Sequence, residues 1–346
     1  MIYQLVFINN GTLGNYFLLD TGEFSRIQQS ARHTQQFLYA RDTAKNIKSH
    51  FRTYFLFCLY FKRRPLPADS DTLVCFVEYM SQSCGYKHIK HLIGSVKLLH
   101  RIYNMKFVED DYPLESALQS VKRKLAGTPL QVFPILPKTL LSMIMFLDIS
   151  EPQNLALWTS WLCCFYLMFR KKSAVPESLA KFDPAVGLTR SKINVFPEKN
   201  LALVYCNFSK VIQFRERQMV VPLIAAKVHC LDAVYHLNKL FTENPCPEDS
   251  PAFSYYKNGR LLCITYATFT IKLKQCLKLA GLNPDLYSGH SFRRGGATWA
   301  FKAGCTSTEI KCNGDWHSET WLQYTWLDLD QRFSSQQKMV SSIKLD

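Results

Sequence analysis

The chain has 346 residues, 47% of them hydrophobic, which is long enough for about two domains with buried cores and excludes a disordered polypeptide. Its net charge is +15 at pH 7. Residues 1–128 carry 17 Lys and Arg against 10 Asp and Glu, and residues 129–346 carry 25 against 17. Basic residues in both halves favour a protein that grips a polyanion from two sides. A basic protein without a nucleic-acid partner remains an alternative.

The twelve cysteines do not form a disulfide or metal pattern. No Cys-x-x-Cys pair occurs, and most cysteines stand singly in hydrophobic stretches, where cysteine behaves as a small buried hydrophobe. We therefore expect a reducing, intracellular compartment. A secretory signal is not expected, because no basic segment precedes the first apolar stretch. Residues 155–169 are too short for a membrane span and are predicted to form a buried helix.

Residues 1–25 show no sustained periodicity and are treated as an extension. Helical spacing then predicts a four-helix domain over residues 26–127. One predicted buried face contains Phe51, Tyr54, Phe55, Cys58 and Leu59, and another contains Ile89, Leu92, Ile93, Val96 and Leu99. Asp69 or Ser70 could cap the helix between them. Three prolines, Pro129, Pro134 and Pro137, predict a linker over residues 128–137.

The second domain is predicted over residues 138–346, with helices at 138–148, 152–169, 228–242, 265–280 and 290–303. Short β-rich runs at 192–196 and 201–208, separated by a turn signal, predict a hairpin, and residues 220–223 a third strand. The predicted fold class is therefore mainly α with a small antiparallel β-sheet.

The sequence SGHSFRRGG contains the most informative pattern in the chain. A helix that begins near Ser288 or Gly289 would place His290 and Arg293 in its first turn, on one face. Arginine clamps two phosphate oxygens at once, and the free N–H groups of a helix N-terminus also favour an anion. Gly295 and Gly296 would allow another backbone to approach closely.

Downstream, the sequence TSTE predicts a capping box at Thr306 and Glu309 that opens a short helix ending at Gly314. Trp316 follows and offers one N–H donor. Ser318 could cap a further helix that carries Trp321 and Tyr324. A tyrosine hydroxyl can attack a phosphodiester if the phosphate charge is neutralised and the phenolic proton is accepted. Taken alone, Trp316 and Tyr324 would more often be structural aromatic residues.

These segments together resemble the tyrosine recombinases, the phage-integrase-like family, and in particular the recombinases of DIRS-like eukaryotic mobile elements. The family's nucleophile matches Tyr324, its His and Arg pair matches His290 and Arg293, and its His or Trp donor matches Trp316. Its first arginine, after a hydrophobic helix, matches Arg170, and its β-hairpin lysine matches Lys210. Trp316 stands eight residues before Tyr324 where many members have nine. Lys171 and Lys172 replace the usual acidic turn, so Lys171 is a rival phosphate contact.

The resemblance implies a helical DNA core-binding domain, a catalytic domain and a C-shaped clamp on double-stranded DNA. Tyr324 would form a 3′-phosphotyrosyl link and release a 5′-hydroxyl. Arg170 and Arg293 would stabilise the transition state, His290 and Trp316 would bind its oxygens, and Lys210 would protonate the leaving oxygen. It further implies a homo-tetramer on DNA with a docking helix at residues 327–340, a nuclear location, and no cofactor, metal, membrane or small-molecule substrate.

Three alternatives remain open from the residues. The first is a domesticated protein that binds DNA without cutting it. The second is a metalloprotein that uses His290, Cys305, Cys312 and His317, whose spacing matches no common zinc pattern. The third is a type IB topoisomerase, which shares the catalytic logic but relaxes supercoils.

Overall fold

A computed structural model of the protein describes residues 23–35, 38–108, 111–127, 132–206 and 219–325. Near the C-terminal end it also describes residues 333, 336, 337, 340 and 341. The chain divides into two compact units, Met1–Thr128 and Pro129–Asp346. Each unit has its own hydrophobic core: among the described residues, every cluster of buried apolar side chains lies within one unit.

The first unit is helical. Its helices are α1 (Glu23–Gln35), α2 (Arg41–Tyr60), α3 (Ser70–Ser81), α4 (Tyr86–Ile102) and α5 (Tyr112–Lys124). The core is formed by α2 to α5, whereas the described side chains of α1 are exposed. Because α1 already begins at Glu23, residues 23–25 do not belong to the predicted extension. Asp69 caps α3 as predicted, since its side chain accepts a hydrogen bond of 2.7 Å from the Thr72 N–H.

The predicted buried face of α2 is wrong in part. Tyr54 and Cys58 are buried, but Phe57 completes the face, while Phe55 is 39% and Leu59 76% exposed. Nearly every position of the sequence FLFCLYF is apolar, so spacing alone could not select the face that contacts α3 and α4. The face predicted for α4 is confirmed at all five residues, because lysines occupy its other sides.

The second unit contains helices α6 (Pro137–Ile144), α7 (Pro152–Tyr166), α8 (Lys171–Ala174), α9 (Ala233–Glu243), α10 (Tyr266–Leu279), α11 (His290–Lys302) and α12 (Ser307–Gly314). Strands β1 (Ile193–Phe196), β2 (Leu201–Cys206) and β3 (Met219–Ile224) form an antiparallel sheet in that order. A second hairpin joins β4 (Ser254–Lys257) to β5 (Arg260–Cys263). The predicted fold class, mainly α with a small antiparallel sheet, is confirmed.

The β4–β5 hairpin was missing from the sequence prediction. Its turn is Asn258-Gly259, and both residues have positive φ angles, of 52° and 72°. An Asn-Gly pair between two apolar runs is a strong hairpin signal, so the sequence contained the information.

Helix α7 is the centre of the second core. All its residues from Leu155 to Phe165 are buried, which confirms the buried helix predicted there. None of the described helices is long and apolar enough to cross a membrane. Trp161 of α7 stacks on Phe292 of α11, with ring centroids 5.8 Å apart. This contact places the first turn of α11 beside the C-terminal end of α7, where the predicted site residues converge.

Candidate active site

Arg170 is positioned by a turn that follows α7. Leu167, Met168 and Phe169 are all buried, and Met168, two residues after the helix, has a positive φ of 51°. Arg170 then precedes α8 and is half-buried. Its side chain lines a cavity together with Cys206, Met219 and Arg293. Arg170, predicted from sequence, therefore lies at one wall of a cavity shared with Arg293.

The start of α11 is organised by two serines. The Ser288 N–H donates to the Ser291 hydroxyl at 3.0 Å, and the Ser291 N–H donates to the Ser288 carbonyl at 2.9 Å. The helix begins at His290, so the predicted placement of His290 and Arg293 in its first turn is confirmed. His290 is exposed as a whole, but partial desolvation of its ring, followed by the charges of Arg170 and Arg293, lowers the pKa of its imidazole below the usual value. A neutral imidazole is therefore favoured at pH 7.

The two glycines after Arg293 allow close backbone contacts, as predicted. A Cβ atom on Gly295 would lie 1.8 Å from the Ile135 carbonyl oxygen, and one on Gly296 would lie 2.1 Å from the Phe165 carbonyl oxygen. Both distances are far below van der Waals contact. Helix α11 can approach the end of α7 this closely only because residue 296 has no side chain, and this approach brings Arg293 to the turn that carries Arg170.

Arg293 is 2% exposed and is the most enclosed charged group of the site. Its Nη1 donates to the Met168 carbonyl, and its Nη2 donates to the Gly314 carbonyl at 2.7 Å. Its Nε has no hydrogen-bond partner among the described residues. Burial and the charge of Arg170 lower the pKa of Arg293, although a guanidinium keeps its proton. Arg293 thus joins the end of α7 to the end of α12.

Trp316 is positioned by the end of α12. The predicted capping box of Thr306 and Glu309 is present, and Gly314 is the last residue of the helix. The Trp316 N–H bonds to the Lys311 carbonyl at 3.0 Å, which with the left-handed residue before it forms a Schellman-type end. The indole packs on Gly314, where a Cβ would lie 1.7 Å from the ring.

The indole of Trp316 lies in the interior of the site. It is 7% exposed, and the Arg293 Cζ lies 3.8 Å from its ring centroid. Its Nε1, like the Arg293 Nε, is buried without a hydrogen-bond partner in the described part of the chain. Buried donors of this kind are uncommon in folded proteins. Arg293 and Trp316 therefore each keep an N–H group that no described residue of the site satisfies.

Tyr324 lies against the same two residues. Its ring centroid is 5.4 Å from that of Trp316 and 5.5 Å from the Arg293 Cζ. The Thr298 hydroxyl of α11 donates to the Tyr324 carbonyl at 3.2 Å. The segment before it is a 3-10 helix, Glu319–Gln323, and Ser318 does not cap it, so the predicted Ser318-capped helix carrying Tyr324 is wrong. The Ser318 hydroxyl instead bonds to that of Thr320.

Lys210 lies outside the described residues, as does the rest of the segment 207–218. The two strand ends that flank this segment are described, and both Cys206 and Met219 line the cavity with Arg170 and Arg293. Lys210 therefore remains a prediction.

The rival phosphate contact, Lys171, has its stem beside Gly289 at the start of α11 and its amino group on α10. Its Nζ donates to the Thr270 hydroxyl at 3.0 Å and lies 5.1 Å from the centroid of the Tyr266 ring.

Among the described residues, no group of three or more His, Cys, Asp or Glu side chains is arranged to hold a metal ion. Sequence reasoning missed Asp315, which lines the cavity and has a left-handed backbone; its position next to Trp316 was the available signal.

No protein-family model matches the chain, and no curated protein matches it. Solved structures do. The integrase of the Tn1549 transposon, in complex with transposon right-end DNA, is similar with a TM-score of 0.55 and 14% identity, covering 90% of this chain and 98% of that one. The XerH site-specific recombinase, in a post-cleavage complex with palindromic difH substrate, is similar with a TM-score of 0.51 and 13% identity, covering 80% and 71%. The chain has the fold of the tyrosine recombinases.

Proposed function

We propose that the protein cleaves and rejoins DNA strands through a covalent 3′-phosphotyrosyl intermediate at Tyr324. The observation that carries the proposal is the convergence of five of the six expected residues. Arg293 is in contact with Trp316 and near Tyr324, shares a cavity with Arg170, and follows His290 in one helical turn. These residues come from the end of α7, from α11 and from the segment after α12, so local sequence alone does not account for their meeting.

The proposed chemistry follows from the groups present. The Tyr324 oxygen loses its proton and attacks the scissile phosphorus, and the bond from phosphorus to the 5′-oxygen breaks. The phosphate remains on the 3′-oxygen of the cleaved strand and is now also bonded to Tyr324. Arg170 and Arg293 stabilise the charge of the pentacoordinate transition state, as preorganised cations do in phosphoryl transfer. Trp316 Nε1 donates to a non-bridging oxygen. His290, neutral at pH 7, exchanges a proton with the reacting oxygens.

Lys210 is proposed as the general acid that protonates the leaving 5′-oxygen. The flanking residues Cys206 and Met219 support this role because both line the cavity. In the second step the 5′-hydroxyl of a partner duplex attacks the phosphotyrosyl bond and releases Tyr324. Bond energy is conserved in the covalent intermediate, so the reaction as written consumes no ATP. We further propose a homo-tetramer on DNA, an origin in a DIRS-like mobile element and a nuclear location, which follow from the sequence resemblance alone.

The test is covalent capture, and it does not require the target site to be known. The protein is incubated with a pool of nicked suicide duplexes of random sequence and then denatured. In these duplexes the short fragment that carries the freed 5′-hydroxyl diffuses away after cleavage, so the covalent adduct cannot be reversed. We expect DNA that stays bound through denaturation and is released by protease. Tyr324→Phe should abolish this adduct while retaining DNA binding. The matched control is Tyr256→Phe, which alters an exposed tyrosine of the β4–β5 hairpin.

Equal absence of adduct from the wild type and Tyr324→Phe, with DNA binding intact in both, would favour the silent DNA-binding protein instead. The topoisomerase alternative is separated by relaxation of a supercoiled plasmid. A topoisomerase relaxes any plasmid rapidly, whereas a recombinase requires the sequence recovered in the captured pool.

A further inference from the structure

Asp315 is an acidic residue in a cavity otherwise suited to an anion. The cavity is lined by eight residues, which include Arg170, Cys206, Arg293 and Asp315. Among these described residues, Asp315 is the one that carries a negative charge. It is 6% exposed, so water screens its charge poorly.

The carboxylate lies close to the groups that face the cavity. Its charge favours the protonated guanidinium of Arg293 against the effects of burial and of Arg170. Together with burial, which is the larger cause, it also raises the pKa of the Cys206 thiol to about 12. Arg293 and Cys206 belong to different elements, α11 and β2, and Asp315 lines the same cavity as both.

The backbone at Asp315 is in a conformation that glycine adopts more readily than aspartate. Its φ and ψ angles are 54° and 54°, in the left-handed region, at the residue that follows α12. Glycine is the residue that this position of a helix end favours, because a Cβ is disfavoured there. Stability alone would select glycine. An aspartate at this position accepts a backbone penalty and adds a negative charge to the cavity.

We propose that the Asp315 carboxylate occupies the role of the scissile phosphate until DNA enters. In this role, called the place-holder role, its negative charge neutralises part of the positive charge of Arg170 and Arg293. Arg293 does not need Asp315 for its orientation, because the Met168 and Gly314 carbonyls and the Trp316 indole already hold it. A buried carboxylate in the cavity of Arg170 and Arg293 opposes small free anions. A phosphodiester attached to a DNA duplex overcomes this opposition through its many other contacts, whereas inorganic phosphate does not.

The first test measures anion binding without catalysis. Melting of the full-length protein is followed while inorganic phosphate is titrated at constant ionic strength. The wild type should gain little stability, whereas Asp315→Asn should gain about 3 °C or more in Tm, because a ligand that binds only the folded state stabilises it. Asp249→Asn, at an exposed aspartate of the same unit, is the matched control. Equal phosphate effects in all three proteins overturn the proposal.

A second variant keeps the test informative if Asp315→Asn does not fold. Asp315→Gly removes the same charge and has the residue best suited to the left-handed backbone, so it should fold at least as stably as the wild type. It should show the same phosphate-dependent rise in Tm. A folded Asp315→Gly that does not respond to phosphate overturns the place-holder role.

The second test uses the reaction and rests on the proposed function. With a captured duplex, Asp315→Asn should form the covalent adduct about tenfold faster than the wild type, since a repulsive charge is removed from the phosphate site. Replacement of the scissile phosphodiester by a neutral methylphosphonate should cancel most of that gain. A merely structural role would affect both substrates equally and overturn the proposal. If phosphate stabilised the Asp315 variants but the wild type formed no adduct, the result would contradict the proposed function alone.

Discussion

The guanidinium of Arg293 lies 3.8 Å from the ring centroid of Trp316, and each side chain carries a buried N–H without a partner among the described residues. The two residues are separated by α12 in the sequence and belong to different segments of the catalytic unit. The stacking aligns a fixed positive charge with an additional neutral donor. This pair is the structural centre of the site, because Tyr324 contacts both members.

Trp316→Phe should keep most of the packing and remove the Nε1 donor. We expect adduct formation to fall by about 100-fold, as when a single donor to a developing oxyanion is removed, while the free energy of unfolding changes little. Single-turnover capture assays and urea denaturation measure the two effects. Trp316→His, which restores an N–H, should recover part of the rate. Equal rates for Phe and His variants would show that the indole acts through packing alone.

Gly296→Ala should destabilise the catalytic unit by about 3 kcal/mol. The new Cβ would meet the Phe165 carbonyl oxygen at 2.1 Å, and α11 would have to shift away from α7, moving Arg293. The matched control is Gly94→Ala in α4, where a Cβ meets nothing within 4 Å. That change should stabilise the helix by up to about 1 kcal/mol. Equilibrium denaturation measures the free energy of unfolding of both variants. Similar changes in the two would contradict the close approach of α11 to α7.

His290 should make folding stability depend on pH. Its pKa is lowered in the folded state, so the unfolded chain binds the proton more readily, and stability falls as the pH drops through the unfolded pKa of about 6.5. Stability contributed by the neutral ring is fully present above that value. His290→Asn should therefore lose less stability than the wild type between about pH 7 and pH 5. Parallel pH profiles of unfolding free energy would contradict the shifted pKa.

Tyr324 should act on DNA bound by its own protomer. The Thr298 hydroxyl and the Trp316 ring hold it beside the Arg293 of the same chain. A mixture of Tyr324→Phe and Arg170→Ala proteins should then form no more adduct than either protein alone. If the tyrosine were supplied by a neighbouring protomer, the mixture would regain up to about a quarter of wild-type adduct, because one in four pairings would be intact. The same capture assay gives the answer.

The periodic parts of the chain could be predicted from the sequence, and the parts that depend on several elements could not. The face of α4 was predicted because lysines alternate with apolar residues there, and the capping box at Thr306 was predicted because it involves only four consecutive residues. The face of α2 was mispredicted because its end is apolar on all sides. Before Tyr324 the chain forms a 3-10 helix without a side-chain cap, where a helix capped by Ser318 was predicted.

By itself the sequence determined which chemical groups are available: two arginines, a histidine, an indole and a tyrosine, in an order that resembles a known family. Only the tertiary structure decided that they meet. Gly296 lets α11 approach α7, Met168 and Gly314 bind the same guanidinium, and the end of α12 directs Trp316 inward. The structure also revealed Asp315 in the cavity, because a charge acts on its neighbours in space and not on its neighbours in sequence.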